Sequence, residues 1–190
     1  GGAMYLNDAL VCEKRLVPVP CHHEQACGIA AEAWGRIRET FGVCMVTTGP
    51  GATNVITPVA GAWIESTPFL VISGQVKRAD QLAGRPLRQG GVQEVDIIPI
   101  VKSITKYAVT VNDPQQIRYH LERALHEMKD GRNGPVWLDI PLDVQAATVD
   151  PENLPSFTPA PQPEHDLSEA AAQLMALIGA AKRPLLLAGH

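Results

Sequence analysis

Short apolar runs alternate with longer helical stretches along most of the chain. Five runs have the length and composition of buried strands: Leu16–Val19, Val43–Thr47, Phe69–Ser73, Ile104–Val109 and Val136–Ile140. Helices are predicted between most of them, at Glu24–Arg38, Thr53–Ile64 and Gln115–Lys129. Strands that alternate with helices are typical of a mostly parallel sheet with helices on both faces. The pattern therefore predicts an α/β fold.

The helix over Gln115–Lys129 has the clearest local signals. Its apolar residues recur at helical spacing, at Ile117, Leu121, Leu125 and Met128. Asp113 is a suitable N-cap, and Pro114 suits the first helical position. Gly131 follows the last turn as a stop signal.

Two segments interrupt the alternation of strands and helices. Lys77–Gly91 is polar and rich in glycine, and it is too long for an ordinary connection, so we expect a functional or mobile loop. Pro151–Asp166 contains five prolines and predicts an extended linker. A helix at Leu167–Ala181 and a strand within Arg183–His190 then predict the start of another α/β domain.

The domain organisation follows from these segments. We expect a first domain over residues 1–147, a proline-rich linker over 148–166, and the beginning of a second domain over 167–190. The helix predicted at Met4–Glu13 has no strand before it, and the last segment is too small to bury its own core. The chain is therefore expected to be truncated at both ends.

Composition narrows the functional class. The 190 residues are 45% hydrophobic and carry a net charge of −4, without the basic stripe of a nucleic-acid-binding protein. No apolar run approaches the roughly 20 residues of a membrane span, and no signal peptide is visible. The four cysteines form no Cys-X-X-Cys pair and are expected to be reduced and buried, which is typical of a cytoplasmic protein.

Glu24 stands where the predicted strand Leu16–Val19 leads into a helix. Ligands of open α/β sheets collect beyond the carboxyl ends of strands, so this carboxylate is a candidate site residue. The competing explanation is a carboxylate that only stabilises a helix N-terminus. His22 and His23 are not expected to bind one metal ion, because adjacent strand residues point to opposite faces.

Four ordered motifs connect Glu24 to a known family. They are His23–Ala26, Thr48–Asn54, Ser66–Gln75 and Gly134–Val144. In this order they resemble the N-terminal, pyrimidine-binding domain of thiamine diphosphate enzymes, and within that superfamily the acetolactate synthase large subunit. The resemblance implies an enzyme that decarboxylates a 2-keto acid, pyruvate, and joins the resulting enamine to a second carbonyl compound.

The resemblance also implies roles for individual residues. Glu24 matches the catalytic glutamate that hydrogen-bonds the aminopyrimidine ring, and it is expected to hold or share a proton in a poorly solvated pocket. Gln93 matches a residue close to the reacting centre. Further matches to the cofactor-binding residues of the family are Gly2, Ala3, Gly49, Gly51 and Asn54. No residue of this chain is expected to bind a metal.

Two departures from the family pattern leave the acceptor substrate and flavin binding open. Val92 replaces a bulky aromatic residue beside Gln93, and Leu142 replaces a lysine that lies near FAD in members that keep this flavin. Arg132 matches a flavin-contacting position, so FAD stays undecided. The alternatives are another thiamine diphosphate-dependent decarboxylase or carbon–carbon lyase, or a non-catalytic dimerisation module.

The family also implies partners outside this chain. Its members bind Mg²⁺ and the diphosphate group through a Gly-Asp-Gly motif in a separate domain, and no such motif occurs here. Their active sites are shared between the subunits of a homodimer or homotetramer. The chain alone is therefore expected to be inactive.

Overall fold

The computed structural model describes residues 1–161 and 166–187. One compact unit covers Gly1–Thr158, and a second begins at Pro159. In the first unit, parallel strands form a sheet in the order β1-β2-β4-β3, with β1 at Gly42–Val46, β2 at Phe69–Gln75, β3 at Tyr107–Thr110 and β4 at Pro135–Pro141. This all-parallel sheet confirms the predicted α/β class.

Helices surround the sheet close to the predicted positions. In the first unit they are α1 (Met4–Cys12), α2 (Glu24–Arg38), α3 (Pro50–Thr53), α4 (Ile56–Ile64), α5 (Ile97–Val101), α6 (Ile117–Lys129) and α7 (Leu142–Gln145), and in the second unit α8 (Ser168–Ala180). Short 3-10 turns lie at Arg78–Asp80, Lys102–Ile104, Pro114–Gln116 and Pro151–Asn153. In the described ranges, no helix combines the length and apolar character needed to cross a membrane.

The sheet has an apolar core on each face, as predicted. Val71 and Trp137 belong to one cluster, which contains residues of α4 and α5 and packs against Cys27 and Ala31 of α2. Leu70, Leu138 and Met128 of α6 belong to the cluster on the other face. Successive residues of a strand point to opposite faces of the sheet, and both faces are covered. The central strands β2 and β4 are therefore buried almost throughout.

Asp113, the predicted N-cap of the helix at Gln115–Lys129, caps the 3-10 turn that leads into α6. The Asp113 side chain accepts a hydrogen bond from the backbone N–H of Gln115 at 2.9 Å. A 3-10 turn over Pro114–Gln116 precedes the regular helix, so α6 begins two residues later than predicted.

Three predicted elements of the first unit are wrong in detail. The strand predicted at Ile104–Val109 begins only at Tyr107, because Ile104 ends a 3-10 turn. Leu16–Val19 is not a strand, because Pro18 and Pro20 have no N–H for a sheet, and Val17 is 86% exposed. The predicted helix Thr53–Ile64 begins too early, because Thr53 is the last residue of α3 and α4 starts at Ile56. Pro58 has no N–H to donate to the Asn54 carbonyl four residues earlier, which breaks the helical hydrogen-bond ladder there.

The strand predicted within Arg183–His190 is absent from the part that the structure describes. Leu185–Leu187 lie outside any helix or strand, and their side chains are 91%, 70% and 95% exposed. Residues 188–190 of this prediction lie outside the described residues. A strand needs a hydrogen-bonding neighbour, and the described residues of the second unit supply none.

Candidate functional site

The carboxyl ends of the strands meet at one edge of the sheet. Ser73 of β2 is level with Val46 of β1 and with Asp139 of β4, and Asp139 is level with Thr110 of β3. The turn that follows β1 leads into α3 at this same edge. Polar groups from distant parts of the sequence are thereby brought together.

Glu24 opens α2 and faces the turn after β1. Its Oε2 accepts a hydrogen bond from the Asn54 side-chain amide at 3.0 Å. The preceding His23 caps the helix, because its Nδ1 accepts a hydrogen bond from the Gln25 backbone N–H at 3.1 Å. The carboxylate is half-buried and held in one orientation.

The protonation expected for Glu24 is wrong for this structure. The hydrogen bond from Asn54 lowers the pKa of Glu24 below its ordinary value, with help from the backbone and against a smaller effect of burial. A donor to the charged form favours that form, and the half-buried position leaves some hydration. Glu24 is therefore ionised at neutral pH in this chain.

The glycine turn beside Glu24 brings two predicted site segments together. Gly49 has a φ of +61°, and a Cβ atom built on it would lie 2.0 Å from the backbone oxygen of Gln93. A Cβ on Gly51 would lie 3.6 Å from Glu24 Oε1 and 2.8 Å from a methyl carbon of Thr47. Gly49 therefore needs to be glycine, a side chain at Gly51 would press on Thr47, and the Gln93 backbone is seated directly on the turn.

Gly2 and Ala3 are buried at the same edge, next to the start of that turn. A Cβ on Gly2 would lie 2.9 Å from Cγ2 of Thr48. The Gly2 carbonyl accepts a hydrogen bond from the Gln145 side-chain amide at 2.6 Å, which fixes the N-terminal segment to α7. The structure thus brings Gly2, Ala3, Gly49, Gly51, Asn54 and Gln93 to the same edge as Glu24.

Gln75 is a residue of this edge that sequence reasoning missed. Its Oε1 accepts a hydrogen bond from the Thr48 hydroxyl at 2.8 Å. Its Nε2 donates to the Val95 carbonyl at 2.9 Å and to Asp139 Oδ2 at 3.1 Å. One buried amide therefore joins the turn next to Glu24, the segment that carries Gln93, and β4. In the sequence, the one sign of this role is that a mostly apolar strand ends in a polar residue, Gln75.

Asp139 is the buried centre of this network. Its Oδ1 accepts a hydrogen bond from the Ser73 hydroxyl at 2.5 Å, and the indole N–H of Trp137 donates to the same Ser73 oxygen at 2.8 Å. Burial raises the pKa of Asp139 to about 7, although hydrogen bonds from Ser73 and Gln75 oppose this increase. A carboxyl group that is almost fully buried is thus held near the boundary between its two protonation states.

The raised pKa of Asp139 predicts a pH-dependent contribution to stability. Between its ordinary pKa of 3.8 and about 7, the folded chain binds the Asp139 proton more tightly than the unfolded chain does. The protonated Asp139 carboxyl group therefore stabilises the folded chain fully below about pH 4. This contribution to the free energy of unfolding decreases by at most about 1.4 kcal/mol per pH unit as the pH rises, and it is lost once the pH has passed about 7.

Urea unfolding of the wild type and of Asp139→Asn at about pH 4.5 and about pH 7.0 isolates this contribution. Asparagine does not titrate, so the stability of the variant relative to wild type is expected to increase toward the higher pH. Other titrating groups are common to both proteins and cancel in the difference. A difference that stays constant over this range would show that Asp139 does not titrate in it.

Two carboxylates, those of Asp143 and Glu94, hold the Lys77–Gly91 loop by hydrogen bonds. Arg78 donates from its backbone N–H and from Nε to Asp143, at 3.0 and 2.7 Å. The Glu94 carboxylate accepts from the backbone N–H groups of Leu82, Gly90 and Gly91 at 2.5 to 3.0 Å. These backbone donors keep the pKa of Glu94 low despite burial, so its charge closes the loop beside Gln93.

Arg132 lies at the other edge of the sheet. It precedes β4, and its Nε donates to the Ser66 hydroxyl at 2.6 Å, just before β2 begins. The seven residues of each strand separate these amino ends from the Glu24 edge, by roughly 20 Å. The structure therefore does not bring Arg132 together with the other candidate residues.

A carboxylate, an amide and a glycine turn meet at the carboxyl edge of a parallel sheet, which is where open α/β domains bind their ligands. Residues 1–100 match the family model described as "Thiamine pyrophosphate enzyme, N-terminal TPP binding domain". The match covers more than half of the chain. The chain therefore belongs to the thiamine pyrophosphate enzyme family, as its N-terminal domain.

Similar proteins extend this result to the whole chain. It is 37% identical to the acetolactate synthase large subunit of Corynebacterium glutamicum and 38% identical to the acetolactate synthase of Mycobacterium leprae. It is 33% identical to the acetolactate synthase isozyme 1 large subunit of Escherichia coli. Each comparison covers 100% of this chain but only 30%, 30% and 33% of the relative. The chain thus spans about a third of the length of these relatives.

Proposed function

We propose that this chain supplies the aminopyrimidine-binding half of the active site in an acetolactate synthase-like enzyme. The complete protein then decarboxylates a 2-keto acid, pyruvate, and joins the remaining fragment to a second carbonyl compound. The observation that carries this proposal is the placement of Glu24 against Asn54 and the glycine turn. The names of the similar proteins support the reaction type.

The residues around Glu24 suit a flat, nitrogen-containing ring. Asn54 holds Oε2, while Oε1 points toward Gly51, where no side chain intervenes. Because its pKa is lowered, Glu24 offers a charged acceptor to a ring N–H group. Gly49 and Gly51 allow the backbone of the turn to approach that ring closely.

Thiamine diphosphate, when bound, supplies the electron sink for the decarboxylation. Glu24 orients the ring and holds a proton at its nitrogen. Asn54 fixes the carboxylate, and the turn excludes water from one side of the ring. Gln93, whose backbone is seated on Gly49, presents its exposed side chain at the mouth of this site.

The rest of the catalytic assembly is assigned to other parts of the complete enzyme. We place Mg²⁺ and the diphosphate group in a separate domain, contributed by a second subunit of a homodimer or homotetramer. We also place the enzyme in the cytoplasm. FAD binding has the weakest support, because Arg132 is engaged with Ser66 away from Glu24.

A second candidate within the family is a decarboxylase or a carbon–carbon lyase. Val92, next to Gln93, is 85% exposed and too small to form the bulky wall expected in a synthase. Leu142 begins α7 without the charge typical of the synthases. Both residues affect the choice of the second substrate rather than the contact between Glu24 and the ring.

Product analysis distinguishes these possibilities. The full-length protein is incubated with pyruvate, thiamine diphosphate and Mg²⁺, and pyruvate and its products are measured. Acetolactate as the main product is the expected result. Acetaldehyde as the main product would instead indicate a decarboxylase. No consumption of pyruvate by an intact dimer would contradict the synthase proposal and leave a lyase for another substrate or a dimerisation module.

A further inference from the structure

Two thiols face each other directly behind the Glu24 edge. Cys27 lies one turn after Glu24 in α2, and Cys44 lies in the middle of β1. Their sulfur atoms are 3.4 Å apart, although both cysteines are free. The proposed reaction uses neither thiol, so their contact calls for a separate explanation.

The packing of α2 on β1 already brings the two sulfur atoms close to bonding distance. A Cβ atom on Gly42 would lie 1.7 Å from the Ala31 carbonyl oxygen, which shows how closely α2 approaches β1. A disulfide has an S–S distance of about 2.05 Å, so the sulfur atoms need to approach by only about 1.4 Å. Small rotations of the two side chains can supply this movement.

The two thiols differ in access. Cys44 is fully buried, whereas Cys27 is half-buried, so of this pair Cys27 is the one that a small oxidant reaches first. Burial raises the pKa of both thiols, and that of Cys44 the more strongly. Cys12 and Cys21 are exposed, contrary to the burial expected for the cysteines, and the Cys21 thiol lies close enough to Cys27 to raise the Cys27 pKa further. Because the thiolate is the reactive form, oxidation is slow at neutral pH and accelerates as the pH rises.

We propose that Cys27 and Cys44 form an oxidation site that closes to a disulfide in the presence of a hydroperoxide. The Cys27 thiolate attacks hydrogen peroxide, an S–O bond forms, the O–O bond breaks and hydroxide leaves. Cys44 then attacks the Cys27 sulfur, the S–S bond forms and a second hydroxide leaves. The two thiol protons convert both hydroxides to water, so two thiols and one peroxide give one disulfide and two waters.

The disulfide would join the helix that carries Glu24 to the central sheet. Glu24 precedes Cys27 by three residues, so the bond restrains the first turn of α2 against β1. This site depends on the Cys27–Cys44 contact alone and does not rest on the proposed function.

Peptide mapping of the full-length protein tests the site. The protein is treated with hydrogen peroxide, its remaining thiols are alkylated, and it is digested with trypsin without reduction. Cleavage at arginine and lysine places Cys44 on Glu39–Lys77, and both Cys21 and Cys27 on Leu16–Arg36. The expected product is a disulfide-linked pair of these two peptides, formed roughly tenfold faster for each pH unit toward alkaline pH.

Two variants assign the bond. Cys21→Ser is the matched control, because Cys21 is an exposed thiol on the same peptide, and it is expected to keep the linked pair. Cys44→Ala is expected to lose it. Loss of the linked pair in Cys21→Ser, or its absence from oxidised wild type while Cys27 accumulates as sulfinic acid or is bonded to Cys21 within its own peptide, would overturn the proposal. The Cys21→Ser result is decisive even if Cys44→Ala fails to fold.

Discussion

Replacing Glu24 by glutamine in the full-length protein is expected to lower kcat for pyruvate consumption by about 10²–10⁴-fold. Glutamine keeps the size of the side chain and can still hydrogen-bond Asn54. It cannot carry the negative charge that the Asn54 contact stabilises in Glu24. Steady-state turnover at saturating thiamine diphosphate and Mg²⁺ measures the effect, because saturation separates catalysis from weakened cofactor binding.

The matched control for this experiment is Glu32→Gln. Glu32 lies two turns further along α2, and its Oε1 accepts a hydrogen bond from the Thr67 hydroxyl at 3.1 Å. The substitution therefore removes a hydrogen-bonded carboxylate from the same helix, but away from the glycine turn. Turnover close to wild type is expected for this control. Equal losses in both variants would mean that α2 has been damaged rather than that Glu24 acts in catalysis.

The second large effect is expected at Gln75, through stability. The Gln75 amide donates hydrogen bonds to the Val95 carbonyl and to the Asp139 carboxylate. In Gln75→Glu a carboxylate oxygen takes the place of this donor and faces the same two acceptors. At neutral pH this adds a buried charge beside Asp139, which is expected to lower the free energy of unfolding by about 3–5 kcal/mol. The loss should become smaller in acid, where a proton can be shared between the two carboxyl groups.

Urea unfolding of this variant at two pH values measures the loss. Gln89→Glu makes the same chemical change on an exposed side chain and is expected to shift stability by no more than about 0.5 kcal/mol. A Gln75→Glu protein as stable as Gln89→Glu would contradict the network. A large loss that does not depend on pH would indicate a packing defect instead.

The sequence alone predicts those helices and strands whose signals lie within a few neighbouring residues. The buried runs of β2 and β4 and the Asp113-Pro114 start before α6 are signals of this kind. The strand predicted at Leu16–Val19 is wrong because Pro18 and Pro20 cannot donate the backbone hydrogen bonds of a sheet, although the run is apolar. The ionised state of Glu24 could not be derived either, because it depends on an amide 30 residues away.

The hydrogen bonds of Gln75 and the contact between Cys27 and Cys44 depend on how the strands are aligned and how α2 packs on the sheet. Gln75 reaches Thr48 across 27 residues of sequence and Asp139 across 64. The two sulfur atoms of Cys27 and Cys44 meet across 17 residues. No local pattern encodes such pairings, since a shift of one residue between strands would turn each side chain to the other face. Glu24 itself was recognised through ordered motifs, and the structure added its partner Asn54.

The central claim is that Glu24 activates the cofactor through its aminopyrimidine ring. The most direct measurement is the rate at which the C2 proton of bound thiamine diphosphate exchanges with deuterium, followed by acid quenching and NMR on the full-length protein. Glu24→Gln is expected to slow this exchange by about 10²-fold or more, while Glu32→Gln leaves it near wild type. An exchange rate in Glu24→Gln equal to that of the wild type, with the cofactor bound, would contradict the claim.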